Sequence, residues 1–274
     1  VYNRYLMEGP EEITRLEMKT EAEPVIRICR LAGLNPGMKV ADILCGTGKT
    51  SEILYSLVEP GGEVIGFDAS QERITYAEHT YGKKGISFRV KNILEPFDTP
   101  ESFDFIWARF TLEYFKTEAF EIVKNLDSLL KSGGVLCLVD LDYNCLSHYR
   151  MPEKMESALN RVMDLLQRRM NFDPYAGRKL YSYLYDLGYT NIKADLQSHH
   201  LIYGEMSSCD EFNWAKKIEV LAERLDVSLP GYSSAEEFIT DFKEFLKDPR
   251  RFSYTPVIAC WGNKAQTAGR LPLS

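Results

Sequence analysis

An α/β fold with a mostly parallel, Rossmann-like sheet is what this sequence predicts, and three observations carry the expectation. The stretch KVADILCGTGKT, residues 39 to 50, joins a buried-strand pattern to a tight glycine pair. Val40, Ile43 and Leu44 suit a strand covered on both faces, while Gly46 and Gly48 let the backbone turn sharply beside a ligand. A helical run, SEILYSLV, follows and stops before Pro60-Gly61-Gly62. A second apolar run, EVIGFD, then ends in Asp68, twenty residues beyond Gly48, the spacing of a strand-helix-strand unit that binds an adenosine ribose. Finally, strands and helices alternate from residue 39 to 141 with no repeat and no low-complexity linker.

The glycine register separates the ligands that compete for such a unit. A phosphate-gripping P-loop needs a glycine five residues before Gly48-Lys49-Thr50, and that position is Ile43, inside the strand. The G-x-G-x-x-G of a dinucleotide fold, started at Gly46, meets Ser51 where its third glycine belongs, which leaves nicotinamide or flavin as the weaker reading. What remains is an acidic residue, Asp42, four residues before Gly46 at the end of a strand.

The other elements follow from periodicity. Ahead of the first strand, EEITRLEM and PVIRICRLA read as helices that end at Gly33 and the turn Asn35-Pro36-Gly37, with Pro24 near a helix start. Both are expected to pack over the ligand mouth. In residues 117 to 131, Ala119, Ile122, Val123, Leu126, Leu129 and Leu130 form a core-facing helical stripe. Met155, Leu159, Val162, Leu166 and Met170 mark a further amphipathic helix over residues 152 to 170.

Composition bounds the function classes. A chain of 274 residues, 45% hydrophobic, can bury one sizeable core. Its formal charge of -7 argues against a surface that tracks nucleic-acid phosphates. The six cysteines contain no C-x-x-C pair and mostly sit in apolar runs, so reduced core cysteines are expected rather than disulfides or a metal site. No apolar run reaches about 18 residues and no leader is recognised, so the expectation is a cytoplasmic protein without a membrane span.

The segment around Asp42 resembles motif I of class I S-adenosylmethionine (SAM) dependent methyltransferases, D-x-G-x-G-x-G: Asp42, Gly46 and Gly48 fit, and Leu44 replaces the first glycine. FDASQERITYAEHTYG resembles the second motif, and KNILEPF the third, with Asn92 where an aspartate is usual. SFDFIWARFTLEYF resembles the fourth strand and its turn, and LLKSGGVLCLVDLD the fifth strand behind a Gly-Gly turn. RKLYSYLYDLGYTNIKADLQSHHLIYG and TPVIACWGNK resemble the last helix with the sixth strand, and the seventh. Similar enzymes of the ubiquinone and menaquinone biosynthesis type act on quinone precursors. The resemblance implies a seven-stranded sheet with helices on both faces and the last strand antiparallel. One domain, 1 to 274, would comprise N-terminal helices (1–36), a SAM-binding core (37–144) and two helical cap insertions (145–178 and 204–252).

It further implies transfer of the SAM methyl to a small-molecule acceptor by in-line displacement, leaving S-adenosylhomocysteine, with alignment and water exclusion supplying much of the rate. The implied cofactor contacts are Asp42, Leu44, Cys45, Gly46, Thr47, Gly48 and Thr50 from the first motif, and Asp68, Ala69, Ser70 and Arg73 from the second. Asn92 and Ile93, then Ala108, Arg109, Phe110 and Tyr114, complete that set. Asp68 would hold both ribose hydroxyls. Tyr5 and Arg15 are candidates to close over SAM from the N-terminal arm, with ordinary packing as the competing reading. Arg109 would pair with an acidic substrate group or with Glu12 or Glu17.

For acceptor chemistry the candidates are Asp142, Tyr143 and His148, against turn capping and a solvated loop histidine. Tyr114 is expected in the pocket wall, with Glu113 undecided. Adjacent residues of a strand point to opposite faces, which disfavours joint metal binding by His199 and His200. Tyr175, Tyr181, Phe212 and Trp214 are the aromatic candidates for a cap wall, with core packing the plainer reading. A SAM-binding regulatory or scaffold protein without turnover is the opposing class, a nicotinamide-dependent oxidoreductase the less favoured one. Neither the acceptor nor a homodimer is fixed by these residues.

Overall fold

The computed structural model describes residues 12–97, 102–208, 210–214, 217 and 229–266. Its centre is a parallel run of five strands, β1 (Lys39–Ile43), β2 (Glu63–Asp68), β3 (Ile86–Val90), β4 (Phe103–Arg109) and β5 (Leu130–Leu141), in the order β3-β2-β1-β4-β5. After β3 the chain crosses back to the other side of β1. The C-terminal ends of β1 and β4 therefore flank a topological switch point, where open α/β sheets form their ligand crevices.

Both faces of this sheet are covered, which is why its central strands read as continuous apolar runs. Alternate residues serve opposite layers. Val40, Val64, Phe105, Trp107 and Cys137 pack with Val25 and Ile28 of α2 (Ala22–Leu31) and with Leu54 and Val58 of α3 (Lys49–Val58). Ala41, Ile43, Ile65, Ile106 and Leu136 pack with the Ile122, Val123 and Leu126 stripe of α5 (Ala119–Ser128) and with Leu180 and Leu184 of α7 (Leu180–Asp186). Between β2 and β3, α4 (Gln71–Tyr81) lays Ile74 and Ala77 on Phe88 and Ile86.

Among the described residues the sheet has eight strands, one more than expected. β8 (Phe252–Asn263) runs antiparallel between β5 and β7 (Thr190–Tyr203), as the resemblance implied. The extra strand is β6 (Ser147–Tyr149), which continues the β5 edge by pairing with Phe252–Tyr254. The Gly133-Gly134 pair, expected to precede the fifth strand, lies inside β5, where Gly133 takes φ +80 and the β4 register shifts.

A second core lies outside the sheet. Helix α6 (Glu153–Arg169) packs Met155, Leu159, Val162, Met163 and Leu166 into one cluster with Phe238, Phe242, Phe245 and Leu246 of α8 (Ala235–Lys247), which Trp214 and Phe172 join. Ser234 caps α8 by accepting from Glu237 N at 3.2 Å, and the Glu237 carboxylate returns to Ser233 N at 2.8 Å. Both segments that outrun the strand connections thus contribute to one helical layer. Cys29, Cys45, Cys137, Cys145 and Cys260 are buried free thiols; Cys209 lies outside the described residues.

Candidate functional site

The turn from β1 into α3 forms the floor of the site. Leu44, Gly46 and Gly48 all take positive φ, at 55, 58 and 86°. Leu44 therefore holds the left-handed conformation a glycine would adopt freely, at a cost of about 1–3 kcal/mol. Tertiary bonds hold the turn: Cys45 N donates to Phe67 O at 3.0 Å, and Gly46 N to Asp68 Oδ2 at 3.0 Å. Gly46 lines a cleft of about 880 Å³. Gly48 does not, and this corrects its expected role. A Cβ there would sit 2.7 Å from Phe88 Cζ and 2.9 Å from Ala77 Cβ, so its lack of a side chain serves helix-strand packing.

Asp68, 2% exposed, ends β2 on the cleft wall. Its Oδ1 accepts from Ser70 N at 2.9 Å and from Arg73 Nη2 and Nε at 2.9 and 3.2 Å, while Oδ2 takes Gly46 N. Of the carboxylate's four acceptor positions, one on Oδ2 stays open. A ribose that engages both hydroxyls requires Arg73 to yield. Ser70 caps α4 by accepting from Arg73 N, so it positions the turn without lining the cleft. Asn92 and Val90 line the far end, where the Asn92 Oδ1 accepts from Leu94 N at 3.1 Å and keeps a second lone pair.

At the other end of the cleft stand Asp42 and Arg109. Asp42 Oδ2 accepts from Ser51 Oγ at 2.7 Å, so the residue that breaks the dinucleotide pattern holds the motif's acid in place. Burial pushes the Asp42 carboxyl up to about 7, with Ser51 and Arg109 opposing the shift. Burial likewise lowers the Arg109 guanidinium to about 10. Arg109 pairs with neither Glu12 nor Glu17: it stacks on Phe110 at 4.2 Å, Glu12 is bound to Arg15 at 2.6 and 2.7 Å, and Glu17 accepts from Tyr81 Oη at 2.7 Å. That last bond, with Lys49 Nζ on Glu17 O, pins α1 (Glu12–Lys19) over the cleft, which Leu16, Lys19 and Thr20 line.

A smaller chamber adjoins the cleft. Lys19, Phe110 and Tyr114 line both spaces. Its walls are Leu141 at the end of β5, Asn144 and Cys145 just after it, Met163, Leu166 and Phe172 from the α6 region, and Arg15, Glu113, Lys217, His199 and His200. The two histidines do not point apart. A bulge between His199 and Ile202, with His200 at φ +49, brings their rings to 3.9 Å. Burial holds both well below the ordinary imidazole pKa, and neighbouring cations push the same way. Glu113, 2% exposed, accepts from Asn144 Nδ2 at 2.8 Å, and Asp140 accepts from the Leu112 and Glu113 amides, fixing the turn that carries Tyr114.

Of the other sequence-derived candidates, Leu44, Cys45, Thr47, Thr50, Ala69, Arg73, Phe110 and Tyr114 line the cleft, whereas Ile93 and Ala108 are core residues. Arg15 faces the chamber, and Tyr5 lies outside the described residues. Asp142, Tyr143 and His148 line neither space. Asp142 is bidentate to Arg178 at 2.8 and 2.9 Å, and Tyr143 is 41% exposed against Tyr175. His148 has both ring nitrogens engaged, with Ser253 Oγ at 2.8 Å and Cys145 O at 3.0 Å, and burial lowers its pKa to about 4. None of the four cap aromatics lines the chamber: Trp214 is in the second core, Tyr175 packs on Tyr143, Tyr181 stacks on Tyr185, and Phe212 is half-buried. Phe110, Tyr114 and Phe172 take that place.

Sequence reasoning missed Lys19, Trp107 and Lys217. For Lys19 a signal existed, since Glu12, Arg15 and Lys19 recur at helical spacing on one face of α1. The cleft volume lies within the roughly 300–1,000 Å³ of small-molecule sites. A side-chain-free wall at Gly46, an open acceptor on Asp68 and the buried acid Asp42 fit a nucleoside carrying a charged amino-acid tail.

Comparisons with known proteins agree. A family model described as a methyltransferase domain matches residues 34–197. Juvenile hormone acid O-methyltransferase of Bombyx mori is 27% identical over 211 residues, covering 70% of this chain and 74% of that protein. Demethylmenaquinone methyltransferase of Staphylococcus aureus is 31% identical over 115 residues, 41% of this chain; the match spans 47% of that relative's length. In fold, the chain is similar to phosphoethanolamine N-methyltransferase 2 of Haemonchus contortus bound to SAM (TM-score 0.61, 14% identity, covering 97% of this chain and 60% of that one). It is also similar to a methyltransferase structure from Bacillus halodurans (TM-score 0.56, 19% identity, covering 88% and 99%). The cleft at the switch point, its acidic and glycine-turn walls and the family match lead to one conclusion: the chain belongs to the methyltransferase domain family, as a class I SAM-dependent methyltransferase.

Proposed function

We propose that the chain transfers the SAM methyl to a small molecule whose reacting end enters the chamber, about 50 Å³, lined by Phe172, Met163 and Leu166. The observation that carries this reading is that cleft and chamber adjoin, with Lys19, Phe110 and Tyr114 lining both. SAM supplies an electrophilic methyl on a sulfonium; the residues named here bind, orient and exclude water. Asp68 would accept from the ribose, the region of Val90 and Asn92 would border the adenine, and Asp42 would face the amino-acid tail. Glu113 acts as a positioning residue, because its carboxylate is engaged by Asn144. Among the described residues the chamber wall holds no free carboxylate, and both histidines are weak bases. Transfer then rests on alignment and desolvation. The two helical insertions serve as the cap, since α6 supplies the apolar wall and α8 backs it.

Two relatives frame the acceptor class, one named for an acid and one for a quinone precursor. The test uses tritium-labelled SAM with size-separated fractions of a cell extract. Label in the fraction below about 1 kDa supports the reading, while label confined to protein or nucleic acid refutes it. Phe172→Trp should fill the chamber, abolishing transfer while S-adenosylhomocysteine still binds.

A further inference from the structure

We propose that the acceptor is an apolar molecule bearing one carboxylate, and that Lys19 and Lys217 hold this group in the chamber. The inference rests on the small-molecule methyl-transfer reading and names its substrate class. Leu141, Met163, Leu166 and Phe172 form an apolar wall, yet lysines from two distant parts of the chain enter the same small space. Burying an ammonium group is costly unless an anion compensates it. Neither lysine forms an ion pair within 4 Å among the described residues, and Glu113 is the one carboxylate in the chamber wall. Lys19 Nζ lies 5.8 Å from the Phe110 ring centroid, and Lys217 Nζ lies 5.1 Å from that of Trp214.

Charge counting decides the valence of the missing anion. The Arg15 guanidinium is matched by Glu12, bound bidentately at 2.6 and 2.7 Å. Glu113, whose carboxyl burial pushes up while Lys217 and Lys19 favour its ionised form, offsets one of the two lysines. A single positive charge remains, which fits a monoanion. Burial first, and then repulsion from Arg15, pushes the Lys19 pKa well down, a strain that a bound carboxylate relieves. His199 and His200, held neutral, each keep one N–H to donate. The cationic sulfonium of SAM, held in the adjoining cleft, would add to the bias against an amine acceptor. Lys19 also lines the cofactor cleft, so the carboxylate of SAM itself is a rival partner for it. Lys217 lines only the chamber and separates the two cases.

The test titrates the full chain, saturated with S-adenosylhomocysteine, with octanoate, octanamide and octylamine, by calorimetry and saturation-transfer NMR. Octanoate is expected to bind at least about tenfold tighter than octanamide, with octylamine weakest. Lys217→Met, which keeps the apolar stem, should bring octanoate to the level of the amide and leave S-adenosylhomocysteine binding unchanged. Equal binding of acid and amide, tightest binding of the amine, absence of binding by all three, or an acid preference that survives in Lys217→Met overturns the proposal. The head-group comparison on the unsubstituted chain needs no variant to fold. If that chain fails to bind S-adenosylhomocysteine, the methyltransferase reading fails first, and the two failures are thereby distinct.

Discussion

Replacing Asp68 removes two things at once, the acceptor for a ribose hydroxyl and the counterion of a buried guanidinium. Four donors converge on this carboxylate, and Arg73, 6% exposed, has its charge matched there at 2.9 Å. Breaking a buried pair by deleting one partner costs about 3–5 kcal/mol, because the other charge is left uncompensated. At about 2–4 °C per kcal/mol, Asp68→Ala should melt on the order of 10 °C below the parent chain. Arg73→Met in the same molecule removes the second charge of the pair and should restore at least about 1.5 kcal/mol, a coupling within the range for contacting residues. Cofactor binding should not recover with it. A hydrogen bond to a charged group contributes about 1.5–3 kcal/mol, so both variants should bind S-adenosylhomocysteine at least about tenfold more weakly. Thermal and urea melts give the stability arm, and calorimetry the affinity arm. Melts of Asp68→Ala within 2 °C of the parent would refute the buried-pair argument at the scale of about 3 kcal/mol. A double variant that binds S-adenosylhomocysteine as the parent does would refute the ribose role.

Three further outcomes are expected. Gly48→Val should lose stability through its positive φ and its clash with Phe88 and Ala77, with little change in cofactor affinity per folded molecule; a folded variant of parental stability with lost affinity would contradict this. Asp42 in the folded chain titrates near 7, above its unfolded value, so the folded state holds the proton more tightly and stability falls as pH rises from about 4 to 7. If the SAM ammonium group needs the charged form, affinity should rise about tenfold from pH 6 to 8 with release of a proton, and calorimetry in buffers of different ionisation enthalpy should find that release gone in Asp42→Asn. His148→Phe should lower stability, since it strands Ser253 Oγ and Cys145 O, yet leave the pH profile of transfer unchanged; a shifted profile would place His148 in the chemistry.

The walls of the cleft were legible because their determinants are local. Asp42, Gly46 and Asp68 lie within one strand-helix-strand unit, where strand ends and turns fix position, and all three stand on the cleft. Even Ser51, which argued against a dinucleotide, proves to be the hydroxyl partner of Asp42. Gly48 was misread because a glycine pattern shows where a side chain is excluded and not which neighbour excludes it. The acceptor half was largely illegible for a different reason. Its wall joins α1, the turn after β4, the α6 region, the β7 bulge and Lys217, whose proximity depends on how the second core docks. Alternation placed His199 and His200 on opposite faces, and one bulged residue reversed that. Asp142 and His148 carried suitable chemistry, but their hydrogen bonds to Arg178 and Ser253 are long-range pairings with no signature in the chain.

The most direct test of the account is a crystal structure of the chain with S-adenosylhomocysteine. The ribose should meet Asp68, the adenine should lie toward Asn92, and the sulfur should face Lys19, Phe110 and Tyr114, which line both cleft and chamber. A nucleoside bound elsewhere, or a sulfur open to bulk solvent away from those residues, would contradict it.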